Sequence, residues 1–521
     1  MTGGPSVTTL DYATPARSGE VLIEPAPDRL PALLTAARAA RWEGVEILGV
    51  PLAEFRRRTR TRALRLAAEY TEVPVPDAAQ PLVVMGHQPV LFHPGIWIKY
   101  FLLTRIAHDT RATGLHLIVD TDAGGPVGAD LPAGRDHLVR VRETLADLAG
   151  DVPLESAPVP TAVAWEGFLG RARQHLATVP VAGLAARLDR WAAGAEKARG
   201  SRHLGEFLAR LRRRYESGAG APRYVEASMA ALSDTPEFRA FALHLLRDPA
   251  ALRRAFNGRL EAYRRERRLR SAANPFPNLA EEGGRVEAPL WVVRSGRRAS
   301  LYVARAGDRL ELSTASGPVA AIPADASGVQ ALEDAGIALR PKAMTLTMFA
   351  RLCLGDVFIH GVGGGRYDRV TDAIVHDLFG CAPVPYAVAT ATLHLPLPAE
   401  ASGDERRALQ QLQVDLRHNP DRHLAGANEA EQRLVDEKWR LIREVGAMRP
   451  GRARREATRR IREINAELAV HLAREIERVE TRLSALGDAD PGGAAGYREY
   501  PYFLFEPAEV AALAGIPAKA T

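Results

Sequence analysis

The chain has 521 residues, 46% of them hydrophobic, so it is too long for one simple domain and can bury a large core; two or three folded units are expected. Its formal charge of +6 rests on arginine, because lysine occurs only as Lys99, Lys197, Lys342, Lys438 and Lys519. Cys353 and Cys381 are the only cysteines and lie in apolar contexts, which argues against a disulfide framework or a cysteine-built zinc site and for a reducing cytoplasm.

Residues 1–80 join an extended, Pro-rich lead to two helical stretches, the second over 53–70. Asp11, Glu20, Glu24 and Asp28 make the lead unlike a secretory signal. Arg56-Arg57-Arg58, and later Arg212-Arg213-Arg214 and Arg264 to Arg268, sit among alanines and leucines. They read as solvated helix faces rather than a nucleic-acid surface, since few aromatics interleave with them.

Val83-Val84-Met85 predicts an apolar strand that runs into Gly86-His87-Gln88-Pro89, and His93-Pro94-Gly95 opens a helix through Lys99 and Tyr100. A strand-turn-helix of this build leaves backbone amides unpaired. His87 and His93 are therefore candidates for holding phosphate or carboxylate charge, with Gly86, Gln88, Gly95 and Lys99 around them. Their spacing resembles the paired-histidine signature of nucleotidyl-transferring enzymes. In a chain that otherwise uses arginine, Lys99 and Lys342 mark points where a compact ammonium is needed. Leu115 to Val119 is a second short strand, and it delivers Asp120 and Asp122. Carboxylates there suit a substrate amine, a sugar hydroxyl or a nucleotide-borne magnesium; the competing reading is an Asx turn.

From about 160 to 270 the pattern is almost wholly helical and reads as an insertion. Strand periodicity returns at Ala288–Arg294 and Ser300–Val303 in hairpin fashion. The parallel sheet is expected to resume through Arg340-Pro341-Lys342, a strand at Phe358 and another at 383–388. The Phe358 strand leads into His360 and a glycine run. There Gly361, Gly363, Gly364 and Gly365 permit the positive φ angles of an anion-cradling nest beside Arg366 and Tyr367. The run is no Walker A loop, and neither a serine-nucleophile elbow nor a zinc-ligand pattern occurs. The uncharged stretch 378–399 is broken by Pro383, Pro385, Pro396 and Pro398, so no membrane span is read. Beyond 401, Leu434–Val445 and the stripe Ile461, Ile464, Leu468, Leu472, Ile476, Val479 and Leu483 flank Met448-Arg449-Pro450-Gly451. This predicts an antiparallel coiled-coil hairpin. After Pro491-Gly492-Gly493, the aromatic stretch 497–505 is too apolar for water and should return to the main body.

The fold expected is α/β: a Rossmann-like parallel-sheet core with a helical insertion and a C-terminal antiparallel coiled-coil hairpin. Residues 1–150 and 281–400 are the two parts of the core, 151–280 the insertion, 401–490 the arm and 491–521 the tail. In open parallel sheets ligands lie beyond the carboxyl ends of the strands, which would gather the histidine turn, the aspartates and the glycine run at one rim.

The Gly-x-Gln-Pro turn at 86–89, the acidic pair, the late glycine loop, the helical hairpin and the Arg498-Glu499-Tyr500-Pro501 tail together resemble the bacillithiol-synthesis cysteine-adding enzyme (BshC) family, most closely at 83–122 and 340–395. His87 stands where that family usually has glutamine, Ala123-Gly124-Gly125 where its acidic cluster has a histidine, and Gly365-Arg366 where it has Gly-Glu. The resemblance implies a dimerising coiled-coil arm and a ligase that joins an activated, cysteine-like amino acid to the amine of an amino sugar or another amine. If an amide is made, a nucleotide such as ATP or ADP is the natural activator. His87, His93 and Lys99 would then hold phosphate or carboxylate charge, Asp120 or Asp122 would orient the amine, and the 361–366 loop would cradle an anion. The rival from another class is a non-catalytic nucleotide- or ligand-binding scaffold dimerised by its coiled coil; RNA binding by the arginine helices is a third reading.

Overall fold

The apolar run ahead of Gly86 forms one strand of a six-stranded sheet in the computed structural model, which describes residues 12–39, 42–135, 138–267, 269, 275–398, 401–424, 426, 428–447, 452–485 and 493–516. Five strands are parallel: Leu82–His87, Thr113–Ile118, Tyr224–Ser228, Val357–His360 and Tyr386–Ala391. Counted along the chain, they lie in the order third, second, first, fourth, fifth. Val21–Glu24 closes the outer edge of the fifth strand antiparallel.

Alternation along the first strand explains the layers. Val83 and Met85 enter one core with Trp97, Ile98 and Leu102 of the following helix, whereas Leu82 and Val84 enter a second core on the opposite face. The helix after the fourth strand, Val362–Phe379, sends Val370, Ile374 and Val375 to that second core. Helices leaving neighbouring strands toward opposite faces open a crevice at the strands' carboxyl ends.

Three expectations are corrected. The Tyr224–Ser228 strand falls inside the stretch read as wholly helical. Its alternation is masked by Glu226, which is buried against His116 and Arg212. Residues 338–341 do not resume the parallel sheet: Leu339 and Arg340 pair with Val292 and Trp291. They complete a separate antiparallel sheet built from Arg285–Arg294, Arg297–Ala306, Arg309–Thr314 and Gly317–Pro323. Four residues are too few to carry a readable period, so the partner decides. The stripe over 461–483 is not one helix but two, Arg452–Val470 and Ala473–Ala485, interrupted by a turn at 471–472.

The arm helices are Ala401–His418, Glu429–Ala447 and these two. Leu441, Ala457, Ile464 and Leu468 form one small apolar cluster, and Leu416, Leu472 and Val479 form another. Lys438, ion-paired with Asp421, and Asn465, which donates to the His418 carbonyl, tie the junction between the clusters. The turn anticipated at 448–451 lies outside the described residues. In the tail Tyr500, Tyr502, Phe503 and Phe505 are buried in the core that holds Trp97 and Trp191. Among the described residues no helix is long and apolar enough to cross a membrane.

Candidate functional site

His87 ends the first strand. Its Nδ1 lies 2.9 Å from the Gln88 carbonyl, and Phe92 meets its ring edge-on at 5.2 Å. Pro94 presets the backbone at the first turn of the helix Pro94–Thr110, and His93 caps it by accepting the Gly95 amide at Nδ1, 3.1 Å away. A cap that accepts must be unprotonated there; burial, with Arg498 and Lys99 nearby, takes the His93 imidazole down to about 3. A Cβ on Gly95 would lie 2.5 Å from Arg498 Nη2 and 2.6 Å from the Ala391 carbonyl, so glycine lets the helix start against the fifth strand. Thr390 Oγ1 donates to the Gly95 carbonyl at 3.0 Å across that contact.

Lys99, in the second turn of the same helix, is 3% exposed and has no hydrogen bond or ion pair among the described residues. Burial brings its ammonium down to about 8. His87 is held well below its usual value by burial first and by Lys99 next. His116 is brought to about 4 mainly by burial, against its bond to Glu226.

The glycine run does not form the expected nest. Gly361 is extended at φ −82° and ψ 175°, and Val362 to Gly365 form the first turn of the helix Val362–Phe379, with no positive φ among the four glycines. The small size of two of them, Gly364 and Gly365, serves close approach instead. A Cβ on Gly364 would lie 2.5 Å from His360 Nδ1, and one on Gly365 would lie 2.3 Å from Val388 Cγ2. The Gly365 amide closes the first helical bond on the Gly361 carbonyl, which leaves the three preceding amides without an intrahelical acceptor. His360 Nε2 is 2.7 Å from Asp368, which also accepts from Arg351 at 2.6 Å. Although burial raises it, the Asp368 carboxyl is held well below the usual range by Arg351 and His360.

These elements enclose a cleft of about 620 Å³ at the carboxyl ends of the first and fourth strands. From the histidine turn and its helix, Gly86, His87, Gln88, His93, Gly95 and Lys99 line it. From the late loop come Gly361, Gly363, Gly364, Arg366 and Tyr367. Arg366 donates to the Tyr12 carbonyl at 3.1 Å, and Tyr367 packs edge-on against Phe276 at 5.7 Å. Asp122 also lines the cleft, held by Gln88 Nε2 at 2.8 Å and Arg298 Nη1 at 2.7 Å. Two predicted residues do not. Asp120 is fully buried, accepting from Ser228 Oγ at 2.5 Å and the Ala230 amide at 3.0 Å. Gly365 faces Val388.

The sequence reading missed the roof and one wall. Trp291 and Arg298 come from the antiparallel sheet; the Arg298 guanidinium lies 4.6 Å from the indole centroid and Lys342 Nζ 4.3 Å from it. Lys342 is paired with Glu287 at 2.6 Å. Arg498 arrives from the tail and donates to the Ala391 carbonyl at 3.0 Å; among the described residues its buried Nε has no hydrogen-bond partner. In sequence it stood out only as part of the Arg498-Glu499-Tyr500-Pro501 tail, with nothing to place it at the cleft. The lining acids, Asp122 and Asp368, are each bridged to an arginine, whereas Lys99 is not paired, so the field in the cleft is positive. Among the described residues no group of three or more His, Cys, Asp or Glu stands close enough to hold a metal ion.

No protein-family model and no curated protein matches the chain, so the family resemblance rests on the quoted residues alone.

Proposed function

We propose that the chain is a C–N bond-forming ligase of the cysteine-adding type. It would use this cleft to bind a nucleotide or nucleotide-activated amino acid and to join it to an amino sugar or another amine. The observation that carries the reading is Lys99, a buried ammonium with no counter-charge among the described residues, facing a cavity where two helix N-termini meet. An uncompensated buried charge is costly unless a ligand supplies the opposite one. The strand order, with its reversal between the first and fourth strands, supports a Rossmann-like core whose crevice takes phosphate groups.

On this reading the amino acid's carboxylate is activated as a phosphoric anhydride. The amine nitrogen attacks the acyl carbon, the C–N bond forms, and the bond from acyl carbon to phosphate oxygen breaks. His87 Nδ1–H donates to the Gln88 carbonyl, which leaves Nε2 with a lone pair for the amine's proton. Lys99 and the amides of Val362, Gly363 and Gly364 would receive the departing phosphate charge, and Asp122, steadied by Gln88 and Arg298, would orient the amine. The arm would act as a dimerising coiled coil, its four helices packing in two clusters.

The test is thermal stabilisation by ATP, ADP or AMP, followed by a mass-spectrometric search for a condensed product with cysteine and amino sugars. Stabilisation and product together support the ligase; no stabilisation by any of the nucleotides at millimolar concentration defeats it. Stabilisation without product would favour the scaffold reading.

A further inference from the structure

We propose that an oxyanion bound beside Lys99 is what turns His87 into a proton acceptor, so that the amine half of the reaction waits until the phosphate side of the cleft is occupied. This rests on the reading of the cleft as an anion site and adds an order of events to it, with Lys99 as the positioning residue.

The argument begins with what surrounds the imidazole. His87, His93 and Lys99 line one cleft: Lys99 on the Pro94 helix opposes a proton on His87, while His93 at the cap of that helix and His116 on the second strand stand by as neutral rings. Above it the roof supplies Arg298, reached through Gln88 and Asp122. Of the acids lining the cleft, Asp122 is engaged by Arg298 and Gln88 and Asp368 by Arg351 and His360, and Glu226 beyond His116 is paired with Arg212. Phe92 closes the ring's edge with an apolar face. In the free protein, then, only the Gln88 carbonyl favours a proton on His87, and burial together with the Lys99 charge outweighs it. Burial and the Lys99 charge both hold the imidazole neutral.

An imidazole kept so far from protonation is a weak base toward an ammonium. A phosphate-bearing ligand changes the sign of the local charge. It neutralises the ammonium that opposes protonation and adds negative charge beside the buried Lys99, where charges are screened less than at the open surface. The same event draws Lys99 fully to its protonated form, because the anion favours the charged amine. Two proton-linked changes follow. Anion affinity is highest below about 8 and falls as pH rises through the free amine's value, and His87 titrates at a higher pH in the complex than in the free chain.

The experiment uses the full chain with isotope-labelled histidine, inorganic pyrophosphate as the probe, and NMR titration of the imidazole signals. The His87 signal is assigned by its loss in His87→Asn or, should that variant not fold, in His87→Gln. The expected result is a rise of at least one pH unit in the His87 midpoint on saturation with pyrophosphate, a tenfold or greater gain in proton affinity. In Lys99→Met the midpoint should stand higher without ligand and respond less to it; Lys99→Gln should behave alike. If pyrophosphate binds, seen as a raised thermal midpoint, while the His87 titration stays where it was, this inference is overturned and the nucleotide reading survives. If pyrophosphate does not bind at any pH from 6 to 8, both fall together.

Discussion

Lys99 and Gly95, four residues apart on one helix, carry the two sharpest consequences at the residue scale. The Lys99 ammonium stands at about 8 in the folded chain against about 10.4 unfolded, so between those values the unfolded chain binds more protons and stability rises with pH. The cost of the buried charge is fully present below about 8 and disappears toward about 10.4; it amounts to about 3 kcal/mol. Lys99→Met should therefore be more stable than the natural chain at pH 7 by roughly 1–3 kcal/mol, with a gap that narrows by pH 10. Urea unfolding at the two pH values measures it, and a destabilised Lys99→Met would mean that the lysine has a structural partner. The same variant should lose nucleotide binding by about tenfold or more, a stability gain coupled to a functional loss. Gly95→Ala works the other way. Its methyl would meet a backbone carbonyl that cannot turn aside, so a loss of about 1–3 kcal/mol is expected in the same assay.

Helix starts organise the element scale. The Pro94 and Val362 helices both open at the cleft, one with proline and a histidine cap, the other with glycines. Gly363 faces open space, so Gly363→Ala should leave the fold intact or stabilise it by up to about 1 kcal/mol, whereas Gly365→Ala must displace Val388 and should destabilise by a similar or larger amount. Chemical denaturation of the pair separates close packing from a φ requirement; equal losses at both positions would contradict the helical description. The run was legible as a glycine-rich loop at a strand end, but the positive φ expected of it was not what its glycines serve. Glycine serves positive φ and close approach alike, and only the neighbours, His360 and Val388, distinguish them. The strand-turn-helix at 82–110 was legible because its apolar period, proline and cap are local. The Tyr224 strand was not, since its central Glu226 makes sense only beside Arg212 and His116.

At the scale of the whole molecule, the arm leaves after the fifth strand and the chain returns with Arg498, so the cleft borrows one wall from beyond the arm. The arm's apolar clusters share no residue with the two main cores, and Val414, Trp439 and Val470 remain 51%, 41% and 70% exposed on it. A dimer held by the arm predicts that Val470→Glu, which disturbs no buried contact, lowers the sedimentation mass to that of one chain at micromolar concentration. An unchanged dimer would move the interface elsewhere, and a monomeric natural chain would remove it.

Period, caps and proline placement determined by themselves that this chain has an α/β core, a histidine turn opening a helix, and long amphipathic helices near its end. Such features depend on neighbours within one or two turns of the chain, where local geometry leaves few choices. Tertiary structure alone decided that Asp120 is a buried hydrogen-bond acceptor while Asp122 faces the cleft, that Trp291 and Arg298 roof it, and that Arg498 completes it. Those positions are set by which distant surfaces bury one another, and burial between segments hundreds of residues apart leaves no period along the chain.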